Sequence, residues 1–244
     1  MAVAITWSNP PWKKLVTNIL QKNLEQGRKE SLNLSLATIR PGLNPRPSVR
    51  TVVFRGFVGE SKDNEHLGGG NSSAESSLFL VTTDALMAKV SELEQSDGTF
   101  AISWYHAGTN QQIRFSGTAH IYRQNAKLEF PESHLKRYIK ADREWSWERE
   151  RDRVWKAHKP IMRGSFRNPP PGSVLTDDMK KRLEPVELDG DDDGPDAREA
   201  KERFSLLVLE AMEVEILDLE PPPVSFVDVS EMFLCEGKET EVDT

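Results

Sequence analysis

Cysteine is nearly absent from this chain. Cys235 is the only one, which excludes an internal disulfide framework and any cysteine-rich metal site. The default reading of that residue is an inert thiol in a reducing compartment. Positive charge is also scarce: the formal net charge is −7, which argues against general nucleic-acid or membrane-surface binding and confines any anion site to a local pocket. Long apolar runs are missing. The start, M-A-V-A-I-T-W-S-N-P-P-W-K-K, lacks the apolar stretch of a signal peptide, and no segment is long enough to span a bilayer. The expectation is a cytoplasmic protein, with a nuclear location equally compatible. The Asn33 and Asn71 sequons then read as chance. No metal-ligand cluster stands out.

What is present is a series of short strand patterns. Trp12, Leu15, Val16, Ile19, Leu20 and Leu24 recur at helical spacing after Pro10-Pro11, so an amphipathic helix opens the chain. Ser31–Ile39 alternates with period two and predicts a half-buried strand; the turn residues 40–45 lead into a second, Arg46–Val58, and the two read as a hairpin. Leu78–Thr82 and Phe100–Tyr105 are further strands, with a helix between them from an Asp84 cap through Glu94. In Gln111–Tyr122 the alternation is clean, with Gln112, Arg114, Ser116, Thr118 and His120 on one face and Ile113, Phe115, Ala119 and Ile121 on the other. Phe204–Leu219 supplies one or two more strands. Six or seven short strands with few helices between them predict a mainly β (α+β) domain, an antiparallel sheet or barrel with peripheral helices.

The remaining segments are polar. Residues 59–77, with the triplet Gly68-Gly69-Gly70, read as a mobile loop, since nothing around them supplies the strand, lysine and Ser/Thr of a P-loop. His134–His158 is helical in character, and its interleaved charges point to an exposed, salt-bridge-laced helix rather than an RNA site; Trp145, Trp147 and Trp155 require it to lie on the core or a partner. Thr176–Leu183 reads as a short helix. Asp189–Asp196 lacks the closing glutamate and flanking helices of an EF-hand and reads as a solvated acidic loop. The expected organisation is a core over 1–185, a flexible acidic loop over 186–203, completing strands over 204–231 and a polar tail over 232–244.

Three motifs in order, R-P-S-V-R-T-V-V-F-R-G-F, L-F-L-V-T-T-D-x-x-x-x-K-V-x-E-L and Q-I-R-F-S-G-T-A, resemble pyridoxamine 5′-phosphate oxidase and its relatives, and Trp155 with Arg163, Phe166, Pro171 and Gly172 resembles the subgroup found in cyanobacteria, plants and fungi. The resemblance runs from Trp12 to about Leu219. It implies an antiparallel FMN-binding split β-barrel, working as a homodimer with the flavin between subunits. It further implies that Arg50, Thr51, Val52, Val53 and Arg55 contact the cofactor from one strand, Thr82 and Thr83 from the next, Lys89 at the phosphate and Gln112 near the isoalloxazine. Guanidinium groups suit a phosphate dianion; a glutamine amide offers both donor and acceptor. Arg50 and Arg55 are an odd number of residues apart, so a regular strand separates them unless it bulges near Gly56.

The pattern departs from the family in two places. Met87 and Ala88 stand where Ser and Arg usually precede the lysine. Two lost charged hydrogen bonds, each about 1.5–3 kcal/mol, would loosen FMN unless Arg50, Arg55 and Lys89 compensate. After Leu219 there is no Trp, Arg or His to close a pyridoxal phosphate pocket. Two functions follow from these facts: an FMN-dependent oxidoreductase of unassigned substrate, with unassigned catalytic residues, or a non-catalytic dimeric split-barrel binding protein with weakened or lost flavin binding.

Overall fold

The computed structural model describes residues 9–60, 74–124, 138–141 and 145–220, together with the backbone of 227–228. Cys235, the glycine triplet, Asn71, the polar tail and the ends of several expected segments lie outside the described residues. The strands are β1 (Asn33–Arg40), β2 (Arg46–Phe57), β3 (Ala74–Ser76), β4 (Phe79–Asp84), β5 (Thr99–His106), β6 (Gln111–Tyr122), β7 (Ile139–Ala141), β8 (Phe204–Asp218) and β9 (Val227–Asp228). The helices are α1 (Pro11–Glu25), α2 (Ala88–Glu94), α3 (Trp147–Ala157), α4 (Pro160–Ser165), α5 (Asp177–Lys181) and α6 (Pro195–Arg203). Among the described residues no helix is long and apolar enough to cross a membrane.

Six strands pair antiparallel in the order β4-β2-β1-β5-β6-β8, and β8 pairs with β4 again, so the sheet closes into a barrel. Closure removes every edge along the ring. Alternation decides which side chains fill it. Leu34, Leu36, Val52, Phe54, Phe79, Val81, Ile102, Trp104, Ile113 and Phe115 point inward and form one buried cluster. Trp12, Val16 and Ile19 of α1 join that cluster from one mouth, where Trp12 stacks on Phe79 at 5.3 Å. Leu93 of α2 joins it from the other.

A second cluster lies outside the barrel. Leu80 of β4 and Leu206 and Val208 of β8 turn outward and are covered by Trp147, Val154 and Trp155 of α3, Phe166, and Ala197 and Ala200 of α6. The first half of β8 is therefore buried on both faces, which is why its sequence is a continuous apolar run. It is one strand of 15 residues, with a bulge where Ser116 pairs with Glu213 but Gly117 pairs with Ala211, leaving Met212 extra. A Cβ on Gly117 would fall 2.0 Å from the Glu210 carbonyl oxygen. Gly117→Ala is accordingly expected to cost about 2–3 kcal/mol of stability in urea melts, because main chain must yield to main chain.

Four expectations need correction. Within 59–77, Glu60 and Ser76 are buried and Ala74–Ser76 pair with β7, so the polar stretch is tied down at both described ends. Of the helix expected over His134–His158, the described residues show β7 at Ile139–Ala141 and helix from Trp147; 134–137 and 142–144 lie outside the described residues. The charges of this helix are only partly solvated: Arg153 pairs with Glu150, but Arg151 is buried and donates to the Phe204 and Lys201 carbonyls. In the acidic segment 186–203 the last nine residues are helical, because Ala197 and Ala200 bury against the outer cluster. Asp84 does not cap α2; it accepts from the Leu86 N–H in the preceding turn and pairs with Arg203.

Buried arginines hold the irregular region between α3 and β8. Arg163 donates to the Leu188, His158 and Lys156 carbonyls, and Arg203 to that of Asn168. A segment too polar to build its own core is pinned instead by guanidinium groups that satisfy its main-chain acceptors.

Candidate functional site

Along β2 the burial alternates. Val52 and Phe54 face the interior, whereas Thr51, Val53 and Arg55 face outward. The register shifts between Phe54 and Phe57, a span that holds Arg55 and Gly56, and Gly56 takes a φ of 103° there. The kink therefore leaves Arg50 and Arg55 on opposite faces. Five residues of strand also separate them by about 16 Å. One phosphate cannot be held by both.

Arg50 lies at the barrel mouth beneath α2. Its Nη2 donates to Ser48 Oγ at 2.7 Å, and its guanidinium is also bonded to Thr38 and to Glu92. The Glu92 side chain is 4% exposed and accepts from Thr38 Oγ1 at 2.5 Å, with Arg40 Nε 3.7 Å away. Burial pushes the Glu92 carboxyl up, but the Thr38 and Arg50 hydrogen bonds and the Arg50 charge hold it below its ordinary range. Lys89, one helical turn before Glu92, makes no ion pair with any described residue. Burial and the Arg50 charge lower its pKa, against the pull of Asp84 and Glu92.

On the outer wall, Val53 of β2 and Thr82 of β4 are neighbours next to the inward pair Phe54–Val81. Arg55 lies on the same face. Its Nε is buried with no hydrogen-bond partner, and burial lowers its pKa. Thr82 Oγ1 lies 3.1 Å from His158 Nε2. Thr83 faces the other way and is buried; its hydroxyl donates to the Asp84 carbonyl, so it presents nothing to the outer wall. Val52 is likewise a core residue.

Gln112 is elsewhere. It lies on β6, three strands from β2 in either direction round the ring, and donates through Nε2 to Ser103 Oγ at 2.8 Å. Beside it, on the outer face of β1, β5, β6 and β8, small side chains (Ser35, Ala37, Ala101, Ser103, Ser116) floor a groove of about 420 Å³. The structure thus joins Arg50 with Lys89 at the mouth and Thr51, Val53, Arg55 and Thr82 on the adjoining wall, and sets Gln112 across the barrel. Glu92, Thr38 and His158 were not singled out from sequence. Glu92 carried a signal, three residues after Lys89 on one helix face; His158 carried none.

The residues on the first wall fit an FMN molecule. Arg55 and Lys89 are partly buried cations that make no close ion pair with a described residue, and a phosphate dianion or electron-rich ring edge would satisfy them.

Comparison with known proteins agrees. Residues 9–123 match the family model described as pyridoxamine 5′-phosphate oxidase, FMN-binding domain. The chain is 28% identical over 210 residues to the Arabidopsis thaliana protein named pyridoxine/pyridoxamine 5′-phosphate oxidase 2, covering 86% of this chain and 84% of that one. Its fold is similar to a pyridoxamine 5′-phosphate oxidase-related, FMN-binding protein of Nostoc punctiforme, with a TM-score of 0.63 at 24% identity over 88% of this chain and 89% of that one. PhzG of Burkholderia lata, in complex with tetrahydrophenazine-1-carboxylic acid, has a similar fold at a TM-score of 0.54 and 18% identity, over 88% and 83% of the two chains.

Proposed function

We propose that this chain is a member of the pyridoxamine 5′-phosphate oxidase-related FMN-binding split barrels and an FMN-dependent oxidoreductase acting on an amine or alcohol, with the flavin held between two copies of the chain. The observation that carries this reading is a pair of half-buried cations without a close ion pair among the described residues, Lys89 at the barrel mouth and Arg55 on the adjoining wall. A folded protein rarely keeps such groups without a ligand to meet them.

FMN, when bound, supplies two-electron oxidation and reduction. The chain's own residues bind and orient it. Lys89 and the remaining N–H groups of Arg50 would hold its phosphate, and Glu92 and Thr38 keep the Arg50 guanidinium in place at the mouth. Val53 and Thr51 offer side chains and strand backbone along the wall. Arg55, low in pKa from burial yet still cationic, donates toward electron-rich atoms beside it. The side chains of Met87 and Ala88 supply no phosphate donors, so Lys89 would carry more of that charge than it would beside Ser and Arg.

Assembly from two copies is supported by Gln112. One ligand on the β2–β4 wall cannot reach it within a single chain, whereas a second copy turned against that wall can present it. The groove beside Gln112 and the exposed apolar residues Val49, Tyr105 and Met212 suit such a contact.

The test is a visible spectrum followed by FMN titration. Lys89→Met and Arg55→Met are each expected to raise the dissociation constant about 10- to 100-fold. Wild-type protein that gains neither a flavin band nor thermal stabilisation with excess FMN overturns the reading, and the non-catalytic binding module then stands. Pyridoxamine 5′-phosphate, taken from the name of the Arabidopsis relative, is the first substrate to assay.

A further inference from the structure

His158 follows the last turn of α3, outside the stretch that matches the family model. It is buried, edge-on to Phe204 at 5.4 Å and to Phe166 at 6.0 Å. Its Nδ1 lies 2.7 Å from the Val154 carbonyl oxygen and its Nε2 lies 3.1 Å from Thr82 Oγ1. A carbonyl can only accept, so Nδ1 carries the ring proton. In the neutral ring Nε2 is then an acceptor, and the single hydroxyl proton of Thr82 must point at it.

We propose that His158 is a positioning residue of the cofactor site: by taking the Thr82 hydroxyl proton it leaves Thr82 Oγ1 able only to accept, so that this half-buried wall receives an N–H from its ligand. This rests on the FMN reading above. An oxidised isoalloxazine has one N–H, on its pyrimidine edge, flanked by carbonyl oxygens. Thr82 as fixed acceptor and Arg55 as neighbouring donor on the same wall are complementary to that edge. A ring flip or the other tautomer would make Thr82 a donor and mismatch it.

The groups facing the imidazole hold it neutral. Burial is the main cause, and the Arg55 and Arg163 charges act in the same direction, against the Val154 carbonyl; together they bring its pKa to about 4. Arg163 also donates to the His158 carbonyl, which fixes the main chain at this point.

The first measurement needs no flavin. Imidazole ¹⁵N spectra of the full-length apoprotein at pH 7 are expected to show His158 protonated at Nδ1 only; protonation at Nε2 overturns the proposal. The second is FMN titration of the wild type, His158→Phe, His158→Gln, Thr82→Val and the His158→Phe/Thr82→Val pair, with apoprotein thermal melts alongside. His158→Phe keeps the packing between two phenylalanines but cannot accept, and should weaken FMN about tenfold. His158→Gln, which can present an amide oxygen near the Nε2 position, should stay within about threefold of wild type. The double variant should bind no worse than Thr82→Val alone, since the two changes remove one interaction. Additive losses, a His158→Phe variant that binds as tightly as wild type, or equal losses in the Phe and Gln variants with unchanged melts overturn the role of His158 alone. A wild-type protein that does not bind FMN overturns the cofactor reading and this proposal with it.

Discussion

Lowering the pH from 7 to about 4 is expected to remove about 6 kcal/mol of folding stability, most of it traceable to two histidines. His106 and His158 are buried and neutral, and burial holds both near a pKa of about 4 instead of the usual 6.5. His106 packs at a tilt against Trp104, ring centres 4.7 Å apart, and neither of its ring nitrogens has a hydrogen-bond partner among the described residues. The sign follows from proton counting. Between pH 6.5 and 4 the unfolded chain binds a proton at each histidine that the folded chain refuses, so stability falls with pH across that window. A shift of about 2.5 units at about 1.36 kcal/mol each gives about 3 kcal/mol per histidine. Below the window Glu92 adds to the loss, since its depressed carboxyl protonates and releases Arg50. Urea melts at half-unit intervals from pH 7 to 4 check this. His106→Gln and His158→Gln should each remove about half of the slope, and stability that stays flat down to pH 5 would contradict the assignment.

Arg50→Ala is expected to lose about 3 kcal/mol of stability whether or not flavin is present. The guanidinium is the closest counterion of a carboxylate that is almost wholly buried, and removing one member of such a pair leaves the other charged and desolvated. The loss falls at the lower end of the usual range because Thr38 still donates to Glu92 and Arg40 stays 3.7 Å away. Adding Glu92→Gln should restore most of the stability, as the double variant buries no unpaired charge. Equal melting midpoints for Arg50→Ala and wild type would refute the ion pair's structural role. The consequence for function is practical. Loss of yellow colour in Arg50→Ala would mix unfolding with lost phosphate contact, whereas Lys89 and Arg55, which brace nothing among the described residues, report on the ligand more directly.

Legibility in the sequence followed environment. β1, β2, β5 and β6 have a barrel core on one side and a less covered wall on the other, so Leu34 and Leu36, or Ile113 and Phe115, print a period of two that can be read without a structure. The first half of β8 has cover on both sides, so F-S-L-L-V-L shows no alternation, and the segment expected as one or two strands is a single strand of 15 residues. α6 hid inside an acidic stretch because its only buried apolar side chains are two small alanines, Ala197 and Ala200. At the candidate site, the motif order named particular strands, but parity alone could not tell whether a bulge would reunite Arg50 and Arg55. The register shift takes in Arg55 and Gly56, and Arg55 still faces outward. Thr83 and Val52 fall inside the fold because adjacent strand residues face opposite ways, and a motif quoted as a run cannot show that. His158 is distant in sequence from every motif it serves, and the tertiary fold alone brings it to Thr82.

The second pairing of β8 bears on how the protein reaches this structure. Phe79 meets Leu209 and Asp84 meets Phe204, so barrel closure joins segments more than a hundred residues apart. Contacts of such long range are slow to form, because a large loop must be ordered before the pairing rewards it. Until then β4 has an open edge on the very strand that carries Thr82, and the helices that cover its outer face have nothing to rest on. During synthesis the β1–β2 hairpin can form early, but the wall proposed to receive the flavin is completed only after the last described strand of the barrel has emerged. A cofactor that binds this wall would therefore act on the final step of folding, selecting closed barrels from open ones and shifting the balance toward them by mass action.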